Sequence, residues 1–299
     1  MTHCQAGILE LISPFSIYLE LDANTAKTTQ IIATLKRIAS IADGSTIVMG
    51  IGAPVIASLD VTIPGLRPFQ PLADPTGNEI VPATQAGLFL QIRGQGLDHI
   101  LKIEKELLIV VTEAFKVVRR KQAFRFAGGR DLTGYEDGTE NPKGEDAVAA
   151  ASMAIGKPGL DGSSIAALQE WVHDLKFFRA LDADEQDGIF GRRIMDNSEI
   201  SDGPPAAHAK RTEQESFSPE AFILRRSMMW IDDDDEGIMF TSYSSEPRPF
   251  DVQMQRMVGM EDAIVDNLFK YSTPVSGAFY WCPPVRDNLI DLRALDGGQ

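Results

Sequence analysis

From Phe15 to Leu21, apolar residues (Phe15, Ile17, Leu19, Leu21) alternate with Ser16, Tyr18 and Glu20, the period of a strand with one buried face. A helix follows, with Asn24 or Thr25 able to cap it and Ile31, Ile32, Leu35, Ile38 and Ala42 on one face. Thr46 to Ile51 reads as a strand, Leu88 to Arg93 alternates again, and His99 to Phe115 carries a helical stripe of Leu101, Leu107, Leu108 and Val111. Val117 to Phe126 closes the run as an extended segment, so the predicted order is β-α-β-β-α-β.

The second half repeats that order. Strands are predicted near Ile165 to Trp171, Phe222 to Met229, Gly237 to Tyr243 and Gly277 to Cys282, with helices near Asp182 to Phe190 and Phe250 to Met260. Asp182 and Glu185 have capping-box spacing, which fixes one helix start. Two βαββαβ units predict an α+β, tandem ferredoxin-like protein, with residues 1–127 and 128–299 as its two domains. The second unit carries a long insert, Met195 to Pro219, rich in Asp, Pro, Ser and Glu; a stretch of that length is either disordered or functional. Asn288 to Leu295 reads as a final core helix.

Composition narrows the partners. At 299 residues and 43% hydrophobic, the chain can bury one large core or two medium ones. A formal charge of -15, with the run Asp232-Asp233-Asp234-Asp235-Glu236, repels nucleic acid and anionic membranes, and the run itself reads as a solvated loop between strands. No apolar run approaches a membrane span and the first residues lack a secretory pattern, so a cytoplasmic location is expected. Cys4 and Cys282 form no Cys-x-x-Cys motif, which removes a disulfide scaffold, a zinc ribbon and covalent haem.

Residues 130–142 place two glycines, a proline and four acids between apolar strands. Gly134 and Gly138 permit backbone angles closed to other residues, and the Asp137-Gly138 pair favours a tight turn that can aim the carboxylate inward, unless the segment is a solvated hairpin. Of four histidines, His3 is terminal and His99 sits at a helix start on the surface, leaving His173 and His208. His173 fits a core position, whereas His208 lies in the insert among alanines that leave room for a flat ligand. Arg225 and Arg226 point to opposite faces of their strand, one of them inward, and a buried Arg needs an anion. Asp137 is either that partner in a plain salt bridge or a second group facing a ligand cavity.

The stretch Gly134-Tyr135-Glu136-Asp137-Gly138-Thr139-Glu140-Asn141-Pro142 carries the Gly-x-x-Asp-Gly signature of the dye-decolorising peroxidases. The resemblance extends, in order and spacing, to Phe124-Arg125-Phe126, Arg130-Asp131-Leu132, Gly191-Arg192, Ala207-His208, Ile223-Leu224-Arg225 and Thr273-Pro274-Val275-Ser276-Gly277. With its short loops the chain is similar to the bacterial, cytoplasmic type-B branch. The resemblance implies a member of the dimeric α/β-barrel-like peroxidase superfamily that holds one non-covalent haem b in the C-terminal half. It implies His208 as the proximal iron ligand and Asp137 and Arg225 on the distal side. Ser227, on the strand face of Arg225, would hold a distal water, Arg192 would face a haem propionate, and Asp266 would accept the second N–H of the proximal imidazole. His173 matches a histidine of relatives that is not the iron ligand and is read as structural.

The implied activity is reduction of hydrogen peroxide through a ferryl intermediate, with dyes, phenols or other small one-electron donors as reductants. An Asp base ionises at about 3.9 in water, which predicts an acidic optimum. A haem- or porphyrin-binding protein for storage, delivery or iron release is the alternative. A haem-free module, with Asp137 and Arg225 in a buried salt bridge, is the third reading. Self-association, as a dimer first, is implied by resemblance. The short tail after the last strand argues against loading into a nanocompartment.

Overall fold

A computed structural model describes residues 2–296. In the first half the periodicities become β1 (Phe15–Ala23), α1 (Thr28–Ala39), β2 (Ile47–Gly52), β3 (Leu88–Gly94), α2 (Leu97–Val111) and β4 (Phe115–Phe124). In the second they become β5 (Ser164–His173), α3 (Ala183–Phe190), β6 (Met228–Ile231), β7 (Glu236–Ser244), α4 (Arg248–Met257) and β8 (Ala278–Cys282). Each unit is a βαββαβ fold, with antiparallel sheet orders β4-β1-β3-β2 and β6-β7-β5-β8.

The two sheets are stitched at both edges. Phe124 of β4 pairs with Met229 of β6, and Gly52 and Ile51 of β2 pair with Tyr280 and Trp281 of β8. The eight strands therefore close a ring. This closure changes the expectation for β1, which buries two faces rather than one. Ile17, Leu19 and Leu21 join the cluster under α1 and α2, while Tyr18 and Glu20 turn into the ring with Phe89, Tyr243 and Tyr280. A carboxylate there needs partners: Tyr280 Oη donates to Glu20 at 2.5 Å, and Arg119 pairs with it as well. Burial still pushes the Glu20 carboxyl above the ordinary range, against the pull of Arg119.

Local chemistry corrects other expectations. Neither Asn24 nor Thr25 caps α1; Asn24 Nδ2 donates to the carbonyls of Thr112 and Phe115, tying the end of β1 to the turn between α2 and β4. Residues 288–295 do not form a core helix. Asp287 and Asn288 both take positive φ (53° and 63°), the geometry of a tight hairpin turn, which joins short strands Val285–Arg286 and Leu289–Ile290 before a 3-10 turn at Arg293–Leu295. The tail residues Gly297, Gly298 and Gln299 lie outside the described residues. The strand expected from Phe222 breaks into Leu224–Arg225 and β6, both paired with β7. Asp232 to Asp235 of the acidic run are exposed in the β6–β7 turn, as expected, and Glu236 opens β7. The long insert is ordered and contains a short helix, His208–Arg211, and a 3-10 turn, Gln214–Ser216. Among the described residues no helix is long and apolar enough to cross a membrane.

Candidate active site

A cavity of about 1190 Å³, counting its part open to solvent, lies outside the ring on the face of β5 and β7 turned toward α4. All its lining residues fall between Asp131 and Ser272. Gln169, Trp171 and His173 from β5 with Ile238 and Phe240 from β7 form the floor, and Phe250, Met254 and Met257 of α4 form a wall. Its lining is mostly apolar and it opens in part to solvent, the character of a slot that takes a flat, largely apolar ligand with a few polar groups to orient it.

His208 lines the cavity at the start of its short helix. Its Nδ1 lies 2.8 Å from Asp266 Oδ2, and the Asp266 carboxylate, fully buried, also accepts the Leu268 N–H at 2.8 Å. A carboxylate only accepts, so the proton sits on Nδ1 and the Nε2 lone pair is free, with no hydrogen-bond partner among the described residues. Arg211 holds the helix in place through Asp262, at 2.7 and 2.8 Å, and the Arg256 carbonyl. Gly191, at φ 78°, ends α3 where a Cβ would come within 3.0 Å of Ala207 Cβ; glycine lets the His208 segment approach α3 closely.

Asp137 and Arg225 both line the same cavity, and among the described residues neither forms an ion pair. The plain salt bridge between them is therefore absent. Arg226 takes the other face, donating to the Leu9 carbonyl at 2.6 Å. The motif reaches Arg225 through Asn141, whose Oδ1 accepts the Arg225 N–H at 2.8 Å and whose Nδ2 donates to the Arg225 carbonyl at 3.1 Å. Gly138 has φ 75°, and a Cβ on it would stand 2.6 Å from Asn141 Nδ2.

The remaining expected residues are placed less directly. Ser227 is buried with an unpaired Oγ, but the strand is interrupted between Arg225 and Met228, so the shared strand face is not formed, and Ser227 does not line the cavity. Arg192 does line it, and is held by Glu140 at 2.5 Å and the Asn197 carbonyl at 3.0 Å. Sequence reasoning missed Gln169, which is buried on the floor; Trp171 Nε1 donates to its Oε1 at 3.3 Å, and its Nε2 has no partner. It also missed Gln214, which joins the insert to Ile223 and Glu140 (2.8 Å each), and the pairing of His173 with Asp131. Asn141 and Asp131 carried a local signal, since both sit in segments of the recognised resemblance, and His173 stood on the short histidine list, but nothing local joined them to their partners.

The described residues contain no group of three or more His, Cys, Asp or Glu side chains able to hold a metal ion. One free imidazole in a wide apolar slot suits a metal whose other ligands come from a macrocycle, and unpaired buried donors such as Gln169 Nε2 suit a bound polar ligand or water.

The family model for the C-terminal part of Dyp-type peroxidases matches residues 128–287. The chain belongs to the Dyp-type peroxidase family. A dye-decolorizing peroxidase of Mycolicibacterium paratuberculosis is 32% identical over 212 residues, 68% of this Dyp-type chain, which spans 59% of that relative's length. One from Rhodococcus erythropolis is 29% identical over 251 residues, covering 81% of this chain and 73% of the relative. Among solved structures, a Dyp-type peroxidase protein from Shewanella oneidensis superposes with a TM-score of 0.85 at 27% identity, covering 95% of this chain and 96% of that one. A variant of DypB from Rhodococcus jostii RHA1, solved in complex with heme, gives 0.79 at 25% identity over 92% and 94% of the two chains. The Dyp-type family thus agrees with the resemblance carried by the motif.

Proposed function

We propose that this Dyp-type chain is a haem peroxidase that reduces hydrogen peroxide at the expense of small one-electron donors such as dyes or phenols. The observation that carries the reading is His208, whose Nδ1 proton is held by buried Asp266 while Nε2 is left free in a cavity that also receives Asp137 and Arg225. Haem b, one per chain, would supply the redox-active iron. His208 Nε2 would hold it, with Asp266 raising the basicity of the imidazole. Arg192, in the cavity lining, would face a propionate once its own pairing with Glu140 is shared.

The chain's own part is proton movement and charge. Asp137 takes the proton from the near oxygen of peroxide and returns it to the far oxygen, which leaves as water. Arg225 stabilises the negative charge that develops as the oxygen–oxygen bond breaks, and Asn141 fixes the backbone from which it extends. Ser227 Oγ is unpaired and would bind a water, but outside the cavity lining rather than beside Asp137. The acidic optimum expected of a carboxylate base belongs to this reading. So do a dimer, a cytoplasmic location and a division at residues 127 and 128; two free, buried cysteines and the start of the family match support the last two. A haem carrier has no use for an acid and a guanidinium that both face the ligand unpaired.

The test is the absorption spectrum of haem-supplemented protein before and after one equivalent of peroxide, for the native chain, His208→Ala and Asp137→Ala. A Soret band that shifts rapidly, is lost in His208→Ala and shifts slowly in Asp137→Ala is expected. Haem that is bound but only bleached would favour the carrier, and no haem binding would sink both.

A further inference from the structure

The loop bearing Asp137 is tied to the floor of the cavity by a buried polar chain that the proposed reaction does not use. Asp131 opens the loop, and its Oδ1 accepts from the Thr133 N–H at 2.7 Å and from the Thr133 hydroxyl, closing the turn. Its Oδ2 lies 3.1 Å from His173 Nε2, at the last residue of β5. On the other side of the ring, His173 Nδ1 lies 2.8 Å from Ser272 Oγ. His173 and Asp131 are 7% exposed each, and Ser272 is 1% exposed. Because a carboxylate cannot donate, Nε2–H donates to Asp131, and the Ser272 hydroxyl is free to donate to Nδ1.

Ser272 belongs to the segment that begins with Asp266, the acid on His208. Residues 266–272 therefore carry, at one end, the group that orients His208 and, at the other, the group that orients His173. Tyr271 packs against the His173 ring, with centroids 5.3 Å apart. Two fixed points, Asp131 in the loop and Asp266 beside the imidazole, are thus referred to one short stretch of backbone.

We infer that His173 is a positioning residue: through Asp131 and Ser272 it sets where the Asp137 loop stands relative to the His208 side of the cavity. This inference rests on the peroxidase reading for its kinetic consequence, but its geometric content does not. A burial-only role would require just that an apolar side chain of similar size fill the site. A positioning role requires both ring nitrogens to be bonded, so Phe must fail where Gln, which keeps one donor and one acceptor, partly succeeds.

The experiment compares the native chain with His173→Phe, His173→Gln and Ser272→Ala. The first readout is amide hydrogen exchange over residues 130–138 and 266–272, in protein with and without haem. Exchange at 130–138 should rise about tenfold or more in His173→Phe, and less in His173→Gln and Ser272→Ala, while the strands of the first unit stay protected. The second is the rate of the peroxide-induced spectral change against peroxide concentration, beside the KM for a dye. A displacement of about 1 Å costs about 10²-fold, so the second-order rate with peroxide should fall tenfold to a hundredfold in His173→Phe and partly recover in His173→Gln, with dye KM unchanged. Native-like exchange in all three variants, or equal peroxide rates for Phe and native His, overturns the inference. If the native chain takes up no haem, the peroxidase reading fails while the exchange comparison still decides this one. If His173→Phe does not fold, the ranking of Ser272→Ala and His173→Gln against native decides it in the same way.

Discussion

Asn141 grips the backbone of Arg225 from both sides, accepting from its N–H at 2.8 Å and donating to its carbonyl at 3.1 Å across 84 residues of sequence. The acid motif and the strand that carries the guanidinium are thereby one unit. Asn141→Ala removes both bonds and should cost about 1–3 kcal/mol of stability, read by denaturant unfolding, and slow the reaction with peroxide. Asn141→Asp keeps the acceptor but loses the donor, and should fall between. Equal behaviour of the two variants would argue against the two-sided grip.

Gly138→Ala should do more damage than its size suggests. The position has φ 75°, and the new methyl would stand 2.6 Å from the amide that holds Arg225. A left-handed non-glycine residue costs about 1–2 kcal/mol, to which displacement of Asn141 is added. A lowered Tm together with a lowered peroxide rate is expected; unchanged values in both would show that the turn has room to spare.

Asp266→Asn tests the imidazole. The side chain is fully buried and accepts from both His208 Nδ1 and the Leu268 N–H. Losing the charge should weaken haem binding about 10- to 100-fold in a spectrophotometric titration, with His208 still in place. Native affinity in this variant would mean that Asp266 only caps its turn.

Acid stability should depend on Asp131. Burial alone would raise its carboxyl, but the hydrogen bonds from His173 and Thr133 outweigh burial and hold it below the ordinary carboxylate range. A depressed native value means that the contribution is fully present above the unfolded value of about 3.9 and is lost as pH falls through the lower folded value. Below about pH 4, unfolding free energy should drop less steeply in Asp131→Asn than in the native chain. Parallel curves would contradict the assignment.

Both thiols should be silent in the folded protein. Burial pushes Cys4 up to about 11 and Cys282 well above its ordinary value, and the nucleophile is the thiolate. A disulfide reagent at neutral pH should titrate no thiol before unfolding and two after it.

How much of this was legible in the sequence depended on range. The existence of the β1 strand, the Asp182 capping box and the order of both units are local patterns, and they stand as expected. The burial of Tyr18 and Glu20 was not legible, because it follows from two strand pairings, Phe124 with Met229 and Gly52 with Tyr280, that join distant segments. The same holds at the site. Asp137, Arg225 and His208 stood out as costly residues in costly places, whereas Gln169, Gln214 and the His173–Asp131 pair are ordinary residues made significant by what the fold puts beside them.

The closed ring also bears on how the chain can be divided. No residue before Asp131 lines the cavity, yet β1 to β4 supply half of the wall that keeps Tyr243, Tyr280 and Trp230 dry. A fragment cut at residue 127 would keep every proposed site residue and expose two raw sheet edges, β6 and β8, with an aromatic interior between them. Such a piece has the features of an aggregating strand template. The first unit is in that sense a lid on the second one's core.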